Sequence, residues 1–338
     1  MISGQRLLVT GAGSVGRNLA SRFLEEDLEV VRILDSSEPA LSRLQSQLDD
    51  DRCRFLAGNI KDQDRIERAI EDIDIVVHTA AMKHVNVCEY NPFEAVKTNV
   101  VGLQNLLDAA IDSSVNRVVF TSSDKAVDPA NTMGTTKLLG EKLVTAGNKY
   151  RGRSDIKLAS VRFGNVINSS GSVVPRFIEQ IRRGGPVKLT DQRMTRFMLT
   201  YDDVASLVTQ AMENTNGGEI FISKMPAIRI EDLVGAMVDF LAPKHGHDPD
   251  DIDMEVIGPR VGETFHEEIM TEREAARALE SDSLYAIPPE SNGYLDHDGI
   301  EGFAEASDIV RSSENANHLS KGEIASLIDQ TNVFVEDR

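Results

Sequence analysis

The sequence predicts an α/β fold, a doubly wound parallel sheet with a smaller C-terminal lobe, on three observations. Short β-branched runs alternate with helical periodicities through the first half, the pattern of a parallel sheet covered on both faces. The first run passes straight into a glycine loop and then a helix. After about Phe163 the rhythm loosens, and glycine turns at Gly184-Gly185 and Gly217-Gly218 separate shorter elements. Strands are expected at 6–10, 30–35, 54–57, 75–79, 117–122 and 157–162, with helices at 14–26, 63–71, 93–113 and 132–149. The division expected is a dinucleotide-binding domain over 1–165 and a ligand-binding lobe over 166–280, with elements exchanged between them. An acidic polar extension over 281–338 follows, holding one late helix near 321–330.

The glycine loop has a physical reading. Leu7-Leu8-Val9-Thr10 is a buried strand, and Gly11-Ala12-Gly13-Ser14-Val15-Gly16 joins it to the helix. Gly11 allows the tight turn, Gly13 lets the backbone approach a pyrophosphate, and Gly16 lets the helix pack closely on the strand. The helix start, at Ser14 and Val15, offers N–H groups and a positive dipole end to the phosphates. This is a Rossmann-type dinucleotide site. Asp35 closes the second strand about twenty residues further on, where an acid accepts hydrogen bonds from ribose hydroxyls and repels a 2′-phosphate. That favours NAD over NADP; the rival reading of Asp35 is a loop cap. Asn59-Ile60, after the third strand, falls near the adenine.

Composition narrows the partners. Acids outnumber bases 55 to 36 in 338 residues, leaving a net charge of -19. Such a surface repels nucleic acid and anionic lipid, so an anionic ligand needs a local cluster of cations or N–H groups. Two distant cysteines, Cys53 and Cys88, give neither a disulfide framework nor a zinc spacing. His245 and His247 have no ligand set around them, and no metal site is expected. No stretch approaches the roughly 20 apolar residues of a membrane span, and the start carries no signal-peptide pattern. A cytoplasmic protein is expected.

Three further blocks carry a resemblance. The first is His78-Thr79-Ala80-Ala81-Met82-Lys83-His84-Val85, continuing through Glu89, Asn91-Pro92 and Thr98-Asn99-Val100. The second is Thr121-Ser122-Ser123-Asp124-Lys125-Ala126-Val127, with Pro129, Asn131, Gly134, Thr136 and Lys137. The third is Val161-Arg162-Phe163-Gly164-Asn165-Val166, with Gly171 to Pro175 and Met194-Thr195-Arg196-Phe197. Together they resemble the polysaccharide-biosynthesis branch of the extended short-chain dehydrogenases, which includes UDP-N-acetylglucosamine 4,6-dehydratases. The resemblance spans roughly residues 5–275, and Ser123-Asp124-Lys125 is its most diagnostic part.

The resemblance implies catalytic NAD and a UDP-sugar substrate. Dehydration across C4, C5 and C6 needs an acid and a base near C5 and C6, besides a group that handles the C4 hydroxyl. It assigns Asp124 as acid to the 6-hydroxyl, Lys125 as base at C5, and Ser123 or Ser122 as partner of the C4 oxygen. Lys137 would hold the nicotinamide ribose, and Ala80, Ala81, Lys83 and Asn99 would line the cofactor. Toward the sugar diphosphate it points to Asn165, Arg196, Arg260 and Glu263, with Lys83 also lining that pocket. Read without the family, Asp124-Lys125 is a strand-end ion pair, Lys137 a solvated helix lysine, and Arg196 and Lys83 partners of nearby acids.

Departures from the family pattern are plain. Met133 stands where most relatives carry a catalytic tyrosine, and a thioether cannot deprotonate an alcohol. The glycine loop is one residue shorter than GxxGxxG, and Thr264 replaces a lysine after Glu263. A 4,6-dehydratase is the leading expectation, with a UDP-sugar 4-epimerase and a non-catalytic NAD-binding scaffold as alternatives. Relatives dimerise through helices equivalent to 93–113 and 132–149, so a homo-oligomer is expected.

Overall fold

The structure, a computed structural model, describes residues 2–259, 262–290 and 299–330. The chain opens with β1 (Arg6–Thr10), α1 (Ser14–Phe23), β2 (Val30–Asp35), α2 (Glu38–Gln47), β3 (Cys53–Ala57), α3 (Gln63–Ile70) and β4 (Ile75–His78). It continues through α4 (Val85–Tyr90), α5 (Pro92–Val96), a π-helical turn at Lys97–Val101 and α6 (Gly102–Ile111). Next come β5 (Arg117–Thr121), a 3₁₀ turn at Asp124–Ala126, α7 (Thr132–Tyr150) and β6 (Lys157–Arg162). Shorter elements follow: β7 (Asn165–Val166), α8 (Val173–Arg182), β8 (Val187–Leu189), β9 (Thr195–Leu199), α9 (Tyr201–Asn214), β10 (Ile220–Ser223) and β11 (Ala227–Arg229). The remainder holds α10 (Ile230–Leu241), β12 (Met254–Val256), α11 (Glu272–Ala275), β13 (Leu279–Glu280), β14 (Leu284–Ile287), β15 (Ala304–Glu305) and α12 (Lys321–Gln330).

Two compact units emerge, and they interleave. The first takes the chain to Phe163, then Tyr201–Lys224 and Met270–Ile309. Its ten strands run in the order β15-β13-β14-β10-β6-β5-β4-β1-β2-β3. From β3 to β10 all pairings are parallel, while β14, β13 and β15 add antiparallel edges. The chain winds outward from β1 through β2 to β3, then returns to place β4 on the other side of β1. That reversal opens a crevice at the carboxyl ends of β1 and β4, where doubly wound folds bind ligands. Leu8, Val76, Val118 and Leu158 from the strands pack with Ile66, Leu103, Leu106 and Val144 from the helices. Central strands buried on both faces read as continuous apolar runs, as β4 does.

The second unit takes Gly164–Thr200, Met225–Ile269 and the described residues from Val310 onward. It holds the small sheet β11-β9-β7, the pair β12-β8, and helices α8, α10 and α12. Phe177, Leu189, Met198, Val234, Met237, Ile324 and Ile328 form its core. The expected late helix is α12, and Ile324 and Ile328, one turn apart, are the residues it buries.

Several expectations change. The linear boundaries at 165 and 280 give way to interleaving, because β10 lies parallel to β6 and β14 pairs with β10. A parallel neighbour requires a crossover, and the chain from β6 to β10 carries Gly164–Thr200 of the second unit before α9. The tail from 281 is therefore partly sheet. The helix expected over 93–113 is present, but a π turn divides it into α5 and α6. That widened turn contains the buried Asn99, and π insertions of this kind recur at functional sites.

Candidate active site

The glycine loop is built as its residues dictate. Gly11 has a φ of +93°, a left-handed conformation that favours glycine, and a Cβ there would come within 2.9 Å of the Ala80 nitrogen. A Cβ on Gly16 would lie 1.8 Å from the Gly11 carbonyl oxygen, so helix and loop could not close. Gly13 is the opposite case: nothing lies within 4 Å of its Cβ position. It caps α1 with no side-chain hydrogen bond and no acid in the first turn, leaving backbone donors for an anion. Asp35 Oδ2 accepts from the Ala12 nitrogen at 2.6 Å and Oδ1 from the Ser37 nitrogen at 2.6 Å. The carboxylate is thus tied to the loop it serves. Lys83 Nζ stands 3.5 Å from Ser14 Oγ beside the start of α1, and burial lowers its pKa from the usual lysine value. These residues fit a dinucleotide.

Other residues expected at the cofactor are engaged by neighbouring groups. The Ile60 side chain packs on Gly102 of α6 and belongs to the core, and its carbonyl accepts from Asn105. Asn59 Oδ1 accepts from the Lys61 nitrogen. Asn99 brackets the loop before α4: Oδ1 accepts from the Met82 nitrogen, and Nδ2 donates to the Met82 carbonyl and to Thr136 Oγ1. Ile60 and Asn99 are spent on holding the walls.

After β5 the chain turns through the diagnostic tripeptide. Asp124 Oδ1 accepts from the Lys125 nitrogen (2.8 Å), Ser123 Oγ (2.8 Å) and Lys125 Nζ (3.1 Å). Asp124 Oδ2 is buried with no hydrogen-bond partner among the described residues, and so is Ser122 Oγ. Lys125 is the more accessible member of the pair, 24% exposed against 0% for the aspartate side chain. An ion pair alone would not leave a buried carboxylate oxygen unmet.

Lys137 is not a solvated lysine. It is 6% exposed, donates to the Thr121 carbonyl at 2.7 Å, and lies 4.7 Å from the centre of the Phe120 ring. Burial is the main cause that brings its pKa down to about 8, partly opposed by Glu141. Met133, one turn earlier, packs with Cys88 and Ala95, with Met82 and Val85 against them. Its thioether fills an apolar gap and offers no proton chemistry.

Two buried groups next to this site stand in the motif blocks without an assigned role. His78 stacks on Phe120, shares a 2.6 Å hydrogen bond with Thr10 Oγ1, and is held uncharged by burial, its pKa brought to about 3. Arg162 pairs with Glu141 and Glu274 in the interior. The i, i+4 spacing of Lys137 and Glu141 was the one sign in the sequence of that second network.

In the second unit Asn165 opens β7, its Oδ1 buried without a partner among the described residues. Arg196 is tied up within the second unit. Nη1 donates to the Thr195 and Phe265 carbonyls, Nη2 to the Thr264 carbonyl, and Nε lies 3.5 Å from Glu267. A guanidinium so committed is a strut for the 264–267 segment, with little left for a phosphate. Glu263 lies in the described loop just before that segment, partly exposed. Arg260 falls outside the described residues. Among the described residues no group of His, Cys, Asp and Glu could hold a metal ion, and no helix is long and apolar enough to cross a membrane.

Comparison with known proteins agrees with this geometry. Residues 7–289 match the family described as polysaccharide biosynthesis protein. A Methanocaldococcus jannaschii protein described as an uncharacterized membrane protein is 42% identical, over 96% of this chain and 95% of its own. A UDP-N-acetylglucosamine 4,6-dehydratase (inverting) of Campylobacter jejuni is 35% identical, over 99% of this chain and all (100%) of its own. A UDP-glucose 4-epimerase of Rickettsia rickettsii is also 35% identical, over 97% and 96%. Among solved structures, Pen from Bacillus thuringiensis superposes with a TM-score of 0.90 at 39% identity, covering 98% of this chain and 99% of that one. A dTDP-glucose 4,6-dehydratase from Streptomyces venezuelae with NAD bound gives 0.69 at 25% identity, covering 77% and 86%. The glycine loop, the Ser-Asp-Lys turn and the match along nearly the whole chain make this protein a member of the polysaccharide biosynthesis protein family, a family of nucleotide-sugar dehydratases and epimerases.

Proposed function

We propose that the protein is an NAD-dependent nucleotide-sugar 4,6-dehydratase. It converts UDP-N-acetylglucosamine or a related UDP-sugar to a 4-keto-6-deoxy sugar for polysaccharide or glycan synthesis. The observation that carries this reading is the Asp124–Lys125 pair, with a buried carboxylate oxygen left unmet beside a partly exposed ammonium. The chemistry supplied by bound NAD is removal of a hydride at C4 and its return at C6. Gly13, the start of α1, Asp35 and Lys83 hold the dinucleotide, and Lys137 orients the nicotinamide ribose. Lys125 Nζ, once it has released its own proton to solvent, takes the C5 proton when C4 is a ketone and returns a proton to C5 as the hydride adds at C6. Asp124 supplies the proton with which the 6-hydroxyl leaves as water. Ser123, hydrogen-bonded to Asp124 Oδ1, or Ser122 partners the C4 oxygen. With Met133 in the tyrosine position, the C4 hydroxyl proton also falls to the Asp124–Lys125 pair, directly or through a water. The family resemblance adds Asn165, Glu263 and Arg260 as residues that would bind the nucleotide of the substrate.

Tyr90 and Phe93 are 88% and 83% exposed near α4 and α5, large apolar surfaces that suit a homo-oligomer. The buried free thiols Cys53 and Cys88 suit a reducing cytoplasm. The UDP-glucose 4-epimerase at equal identity favours a second reading, return of the hydride to C4. Incubation with UDP-N-acetylglucosamine and NAD, followed by mass spectrometry, separates the two. Loss of one water with a new 4-keto group is the expected result. An unchanged mass with a C4 epimer by NMR would assign an epimerase, and no change across several UDP-sugars would leave an NAD-binding scaffold.

A further inference from the structure

Lys137 and Glu141 stand one turn apart on α7, on the same helix face, and both are buried. Glu141 is held rigidly. Its Oε1 accepts from Arg162 Nε at 2.9 Å and its Oε2 from Nη2 at 2.7 Å. Arg162 reaches in turn to Glu274, with Nη1 to Oε2 at 3.1 Å and Nη2 to Oε1 at 3.0 Å. Glu274 closes the capping box of α11 with Thr271. Two carboxylates around one guanidinium leave one net negative charge in the interior, on the same helix as the lysine.

The other groups facing Lys137 do not compete. His78 on β4 is uncharged, and burial pushes the Cys88 thiol on α4 up, so it too is neutral near pH 7. β5 contributes the Thr121 carbonyl and the Phe120 ring. The Asp124–Lys125 turn packed on α7 is an internally paired, neutral unit. Arg162 on β6 lies behind Glu141, its charge turned to two carboxylates. Glu141 is thus the anion that answers the buried ammonium.

We propose that Glu141, braced by Arg162 and Glu274, is a positioning residue for Lys137: it holds the ammonium charged and seated on the Thr121 carbonyl, where the nicotinamide ribose binds. The proposal rests on the reading of Lys137 as the ribose anchor. It also makes that seat depend on a chain of contacts running from α7 through β6 to the capping box of α11.

Calorimetric titration of the NAD-free protein with NAD, from pH 6.5 to 10, tests it without turnover. In the wild type, affinity should fall with a midpoint near the Lys137 value of about 8. Glu141→Gln should move that midpoint down by about one pH unit, the usual size of a protein-induced shift, and weaken binding at pH 7. Glu274→Gln, which keeps the Glu141–Arg162 pair but removes the second carboxylate and its brace, should lower Tm and move the midpoint down by less than Glu141→Gln does. A Glu141→Gln midpoint equal to the wild type would overturn the proposal and make the network purely structural. If Glu141→Gln does not fold, the wild-type curve decides alone: affinity independent of pH up to 10 would overturn it. Lys137→Met reports on the underlying reading. Unchanged NAD affinity in that variant would mean that Lys137 is no ribose anchor, whatever Glu141 does.

Discussion

Arg162 and Asp124 are both buried and both ion-paired, yet one is closed on every side and the other is not. The Arg162 guanidinium meets two carboxylates through four hydrogen bonds. Asp124 meets its partners with one oxygen and leaves the second unmet. Removing charges from water costs several kcal/mol per ion unless each is fully answered. The closed network keeps charge inside the fold by answering it in full, and the open pair keeps capacity for a further partner. The difference teaches where to look: buried charge by itself marks neither, and unmet hydrogen-bonding capacity separates them.

The comparison can be broken from either side. The largest effect is expected from Lys125→Met, which should cut dehydratase turnover by about 10²- to 10⁴-fold while moving Tm only slightly. A loss of stability matching the loss of turnover would put the open pair in the structural class. Arg162→Met should cost roughly 3–5 kcal/mol of stability by stranding two buried carboxylates; urea unfolding measures it. Arg196→Met comes next. Its lost carbonyl bonds should cost about 1–3 kcal/mol and leave the KM for the UDP-sugar nearly unchanged, whereas a large rise in KM would restore it to the phosphate site.

The smallest effect is a slope with pH. The Lys137 pKa lies near 8 in the folded protein against an ordinary 10.5. Between those values the unfolded chain binds the extra proton, so stability rises with pH there, and below about 8 the cost of burying the charge is felt in full. Lys137→Met should flatten that rise in thermal melts between pH 8 and 10. Glu274 has the opposite sense: held near 2 against an ordinary 4.5, it stabilises the fold above 4.5 and loses that contribution as pH falls toward 2.

Much of this was legible in the sequence, for physical reasons that name its limits. The glycine loop was readable because backbone clashes at Gly11 and Gly16 admit few other residues. The Asp124-Lys125 turn was readable only through the family resemblance, since by its residues alone it is a strand-end ion pair. Ile60 and Arg196 show what a motif leaves open. Both lie in or beside motifs, but a motif does not say whether a side chain faces the ligand or the wall behind it. The Glu141–Arg162–Glu274 network joins residues more than a hundred positions apart, and only the packing of α7 on β6 and α11 brings them together. The π turn was equally hidden, since local periodicity cannot distinguish one widened turn from a regular helix.

The interleaving of the two units bears on how the chain is made. The first unit draws on three stretches and the second fills the gaps between them. A ribosome releasing this chain in order would present β1 to β6 long before β10 and β14 exist to cover the open edge of the sheet. Until Ile309 has emerged, that edge is a free template for unwanted strand pairing. Neither unit can be finished early, and no single cut yields one of them whole.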